Sequence, residues 1–190
     1  MGTNSPFGAY VKSQTNATGG TNLLVGNQNC PVFAGRVLIS KPQGSTQTIS
    51  SAAIDPTGVG TKILFTNLAY SDFSDVTQET ITAAFGEIPV PAGCKYARLT
   101  GSISFTTQAG GTARWLRLVA NTNTHKGNHG RVPTGVIPDI CEYVSPIFPV
   151  ASTDVFWVGV QQNSGSDIIL SSGTETNNWA SSWLQAEFFM

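Results

Sequence analysis

From about residue 60 the chain carries short runs in which apolar and polar positions alternate. Leu99, Gly101, Ile103 and Phe105 alternate with Arg98, Thr100, Ser102 and Ser104. A period of two puts one face of a strand in a core and leaves the other polar. Leu116, Leu118 and Ala120 alternate with Trp115, Arg117 and Val119, so both faces of that strand are expected to be covered. Phe156, Val158 and Val160 alternate with Val155, Trp157 and Gly159. Leu184, Ala186 and Phe188 alternate with Trp183, Gln185, Glu187 and Phe189. Turn signals separate the runs: Pro89, Pro91 and Gly93, then Gly110-Gly111, Gly127 to Gly130, Pro133 to Gly135, and Ser164-Gly165-Ser166. No stretch sustains an apolar repeat of helical period. Short strands divided by such turns predict an all-β sandwich or barrel.

The first thirty residues break this pattern. They are rich in Gly, Asn, Thr and Ser, with Phe7, Tyr10, Val11, Leu23, Leu24 and Val25 as apolar anchors. Such a segment buries too little surface to fold alone and reads as an extended arm whose anchors dock on another surface. A short β element is expected at residues 32–39, followed by a polar stretch through Ser51. The expected division is an arm with a short β element over 1–58 and a sandwich domain over 59–190.

Charge narrows the function. The 190 residues hold 10 basic and 11 acidic side chains, and charged residues make up only 11%. No field steers the chain toward nucleic acid or anionic lipid, and no apolar run reaches the roughly 20 residues that span a membrane. The N-terminal residues lack a basic start followed by an apolar stretch, so no secretory signal is expected. Cys30, Cys94 and Cys141 form no close pair and are expected to be buried thiols. These features point to synthesis in a reducing cytosol, with neither nucleic acid nor membrane as partner.

Candidate chemistry is sparse. His125 and His129, the chain's 2 histidines, stand four apart among glycines, which predicts an exposed loop ahead of a metal site. Asp72 and Asp75 lack the glycine and terminal glutamate of a helix-loop-helix calcium site, so turn capping is expected. There is no Gly-x-Ser-x-Gly, no acid/base pair of recognisable spacing and no phosphate-cradling glycine loop, so no enzyme activity and no cofactor are expected. Arg98, Arg114, Arg117 and Arg131 are dispersed and read as solvated or interface arginines. Asn177 and Trp179, in a segment of aromatic rings, amides and hydroxyls, are candidate glycan contacts, weighed against Trp179 plugging the sandwich rim.

Three segments carry a family resemblance: Gly86 to Tyr96, a proline-glycine corner entering a long strand; Val155 to Gly165, a strand ending in a Ser-Gly turn; and the terminal strand Trp183 to Met190. Residues 63–190 thereby resemble the antiparallel jelly-roll module of complement globular heads and tumour necrosis factor-like proteins, as found in bacteriophage decoration and fibre proteins. Ser152-Thr153-Asp154 stands where that family usually has a Gly-Asp turn. The resemblance implies a homotrimer. Trp115, Arg117, Val119, Trp183 and Phe189 are its expected interface, because a strand covered on both faces needs a second neighbour. The alternative is a monomer whose own flap or arm covers the outer face. The functional expectation is a capsid decoration, or cement, protein on the virion surface, its arm anchors contacting the major capsid protein or another virion protein. The alternative is the receptor-binding head of a tail or head fibre that recognises host-surface glycans.

Overall fold

A computed structural model describes residues 11–15, 21–25, 31–41, 45–84, 86–105, 113–121, 124–131, 139–171 and 182–190. The chain clusters into two compact units, Met1–Val32 and Phe33–Met190. The division therefore falls at Val32, and residues 33–58, grouped with the arm by their polarity, lie in the second unit. The reason is pairing: Val37 and Ile39 are fully buried in a central strand.

In the first unit, expected as an extended arm, the described residues 11–15 and 21–25 pair as two strands. β1 (Val11–Thr15) pairs antiparallel with β2 (Thr21–Val25), and Val11 faces Val25 in register. Phe7 and Tyr10 lie outside the described residues.

The second unit begins with β3 (Phe33–Ser40), β4 (Thr46–Ile49), β5 (Thr61–Lys62) and β6 (Asn67–Ser71). A single-turn helix, α1 (Gln78–Ala83), precedes β7 (Ile88–Pro89), β8 (Tyr96–Phe105), β9 (Arg114–Ala120) and β10 (Thr124–Arg131). The chain closes with β11 (Asp139–Val144), β12 (Phe148–Pro149), β13 (Val155–Gln162), β14 (Ile168–Ser171) and β15 (Trp183–Phe189). The large sheet runs β6-β3-β15-β8, with β11 and β12 on the far side of β8 and β4-β14 extending it. In the small sheet β9 lies between β10 and β13, and β5 and β7 share the other edge of β13. From β4 to β11 every step crosses between the two sheets except the β9–β10 hairpin, and β12 to β13 and β13 to β14 cross as well. That connectivity is a jelly roll.

Alternation decides which side chains enter the space between the sheets. Leu116, Leu118, Phe156, Val158 and Val160 come from the small sheet, and Leu99, Ile103, Leu184, Ala186 and Phe188 from the large one, all buried. Aromatic edges lock the layers, with Phe148 against Phe156 at 5.7 Å and Phe73 against Phe188 at 5.6 Å. Each buried Leu, Ile, Val or Phe among them contributes roughly 1.5–3 kcal/mol. Helix α1 escaped the periodicity because one turn carries no repeat. It forms through a capping box between Thr77 and Thr80 and buries only Ile81.

The scarcity of charge reappears at the sheet edges. Exposed edges are commonly guarded by charged side chains; here glutamine amides, which carry a donor and an acceptor as a peptide does, close two of them. Gln47 donates to Lys62 O at 2.7 Å and accepts from Leu64 N at 2.9 Å, beside β5. Gln78 of α1 donates to Thr66 O at 2.6 Å and accepts from Leu68 N at 2.7 Å, beside β6.

Candidate functional site

The outer face of the small sheet is where the chain departs furthest from a plain sandwich. Residues 52–60 leave β4 and cross this face as a strap before entering β5. An Asx turn shapes it: Asp55 accepts from both the amide (2.8 Å) and the hydroxyl (2.7 Å) of Thr57, and these bonds hold the Asp55 carboxyl below its usual pKa. Arg117, with no solvent exposure, donates to Asp55 O at 2.7 Å and Pro56 O at 3.0 Å, and its guanidinium lies 4.8 Å from the Trp115 ring centre. Burial lowers the Arg117 pKa, with the Asp55 charge opposing that shift. Gln161 accepts the Asp55 amide at 3.1 Å. The strap passes so close to β13 that a Cβ on Gly159 would stand 1.8 Å from Val59 O. Only glycine fits there.

This geometry revises several expectations. Arg117 and Val119 have no exposed surface within one chain, so the outer face of β9 needs no sister subunit to cover it. At Arg117 the cover is the chain's own strap, through Asp55 and Pro56. Trp115 is half-buried and packs over Gly130, whose Cβ would meet the indole at 2.9 Å. Trp183 and Phe189 lie on the other sheet, on the outward positions of β15, where Phe189 meets Phe33 edge-on at 5.9 Å. The five residues therefore do not form one patch. Two of the four arginines are not solvated: Arg117 lies under the strap, and Arg114 is buried with its guanidinium 4.9 Å from the Phe105 ring. Arg98 pairs with Glu187 at 2.5 Å and keeps its side chain 43% exposed.

His125 and His129 belong to β10, not to a loop. A bulge between His125 and Gly127 sets them opposite Val119 and Leu116, positions of opposite parity on β9. Gly127 is required at the bulge because a Cβ would strike the Tyr143 ring at 2.0 Å. Pairing with β9 won over the local glycine signal. Asp72 accepts from Arg36 N (2.9 Å) and Tyr70 Oη, while Asp75 accepts from Ala92 N at 2.9 Å, so each carboxylate ties a different element. Among the described residues no cluster of His, Cys, Asp or Glu could hold a metal. Cys94 and Cys141 are buried, and Cys30 lies outside the described residues. Asn177 and Trp179 lie outside the described residues.

One cleft was not anticipated. It opens on the outer face of the small sheet between the ends of β5 and β7, and is lined by Lys62, Glu87, Asn121, Val155 and Trp157 around about 490 Å³. Lys62 Nζ bonds Glu87 Oε1 at 2.6 Å and stands 6.0 Å from the Trp157 ring centre. The indole N–H donates to Asn121 O at 2.5 Å. Asn121 holds φ 54°, unusual for a residue with a side chain, and is pinned there by donating to Asp154 (2.8 Å) and accepting from Val155 N (3.1 Å). Sequence reading passed over it because Lys62 and Trp157 are 95 residues apart and the segments holding Glu87, Val155 and Trp157 were read for their turns and alternation; only Trp157, an aromatic on an outward position, carried a local signal.

No family model matches the sequence, and no curated protein does. Among solved structures, Eiger TNF from S. frugiperda is similar over 85% of this chain and 94% of that chain, with a TM-score of 0.48 at 8% identity.

Proposed function

We propose that this chain is a virion structural protein that decorates a bacteriophage capsid, with the jelly roll as the assembled body and the N-terminal hairpin as the contact to the major capsid protein. The observation that carries this reading is the N-terminal unit itself. A two-stranded hairpin of five-residue strands is marginal in water and gains stability only by docking, and Val11, Leu23, Leu24 and Val25 are its apolar positions. A surface poor in charge, with edges closed by glutamine, suits dense packing against other protein. Homotrimer formation belongs to the same proposal. Its interface is the outward face of the large sheet, with Phe189 beside exposed Phe33 (54%) and Met190 (58%) at one end of β15 and Trp183 at the other.

The test has two parts. Sedimentation equilibrium is expected to return three times the 20.0 kDa chain mass. Deleting residues 1–32 is expected to leave a folded trimer that no longer co-sediments with capsids. Full capsid binding by the truncated chain, or absence of the protein from purified particles, defeats the reading. The second reading, a fibre head that binds host-surface glycan, is favoured by the cleft at Trp157; a few copies per particle in place of hundreds would select it.

A further inference from the structure

We infer that the cleft bounded by Lys62, Glu87, Asn121, Val155 and Trp157 is a binding site for the terminal pyranose of a glycan. The inference stands apart from capsid assembly and would hold for either reading above.

Three features define the ligand class. The ammonium and carboxylate lie 2.6 Å apart, so the wall carries no net charge and selects against strongly anionic or cationic ligands. Yet each group keeps capacity. Glu87 bonds through Oε1 alone among the described residues, leaving Oε2 to accept, and Lys62 gives one N–H to Glu87 and one to Ala84 O at 3.4 Å, leaving a third. A donor beside an acceptor matches two adjacent hydroxyls, one donating to the carboxylate and its neighbour accepting from the ammonium. Beside them, half-buried Val155 and the small exposed part of Trp157 (6%) offer the apolar wall that a sugar's C–H face requires.

The site is also preformed. Trp157 is held by its indole bond to Asn121 O, and Asn121 by Asp154 and Val155. Lys62 and Glu87 hold each other, with side chains 28% and 26% exposed. Binding therefore requires little ordering of long side chains. A cleft of about 490 Å³ lies within the range of small-ligand sites, roughly 300–1,000 Å³, and admits one or two sugar rings.

The experiment is saturation-transfer difference NMR with calorimetric titration of the full chain, using the methyl glycosides of glucose, galactose, mannose and N-acetylglucosamine beside the free sugars. Saturable millimolar binding of at least one methyl glycoside is expected, with saturation strongest at the ring C–H protons. Lys62→Met and Glu87→Ala should each weaken it about tenfold or more, with near-ultraviolet circular dichroism and melting temperature confirming that both remain folded. Three results overturn the assignment: no saturable binding by any glycoside, equal binding by both folded variants, or binding by free sugars alone, which would mean that the cleft rejects a glycan end. A full chain that binds sugar but does not co-sediment with capsids would strike only the decoration reading.

Discussion

Gly159→Ala tests whether the strap is held by close approach to β13. The added methyl would begin 1.8 Å from Val59 O, a backbone atom that must retreat by more than about 1 Å to reach ordinary contact. That retreat pulls Asp55 O and Pro56 O away from Arg117, now at 2.7 and 3.0 Å, and Asp55 N from Gln161 at 3.1 Å. Hydrogen bonds to a charged group contribute about 1.5–3 kcal/mol each and a neutral one about 1 kcal/mol. Regained freedom offsets part of the loss, at about 1–2 kcal/mol for each strap residue released. The net destabilisation is about 2–4 kcal/mol. For a chain of this length it should lower the melting temperature by about 5–12 °C. Amide exchange should localise the change, with protection lost over residues 55–60 and kept in β8 and β15. Gly101→Ala is the control, because its methyl meets the tip of Leu118 at 2.8 Å and Val158 at 3.5 Å, so any cost falls in the core between the sheets and strap protection should be kept. A Gly159→Ala protein that melts within about 1 °C of the parent, with strap protection intact, would refute the account.

Gln78→Ala removes the side chain that closes the edge of β6. It should cost about 1–2 kcal/mol and raise concentration-dependent association in light scattering; unchanged scattering would show that the amide does not guard the edge. Acid should weaken the fold in a defined direction. Thr57 lowers the Asp55 pKa, Tyr70 that of Asp72, and the Ala151 amide, followed by Asn121, that of Asp154. A lowered folded pKa means that the unfolded chain takes up protons first, so this stability is complete above the unfolded carboxylate value near about 3.9 and is lost as pH falls through the folded values. Melting scans across that window should show the loss, with a shallower slope for Asp154→Asn; an identical slope would contradict the assignment.

The strands were legible because burial writes itself locally. Leu99 to Phe105, Leu116 to Ala120, Phe156 to Val160 and Leu184 to Phe188 each announce one core face, and a strand needs no more than its own alternation to do so. The double coverage of β9 was legible too, from Trp115, Arg117 and Val119. What covers that face was not: an apolar or basic residue of outward parity demands a neighbour without saying whose. Tertiary structure decided it, by laying a polar strap with no periodicity of its own across Arg117 and Gly159.

The same limit separated the histidines from their strand and hid the cleft. His125 and His129 read as loop from their glycines, but pairing with β9 overrode that local preference. Lys62, Glu87, Asn121 and Trp157 meet only because two short strands, β5 and β7, take successive places along β13 and leave a gap between them. The amino-acid sequence by itself determined the all-β class and which face of each long strand turns inward, since both follow from side chains two residues apart. Only the tertiary structure decided the strap, the glutamine-closed edges and the cleft, because each depends on groups that chain connectivity brings together from far apart.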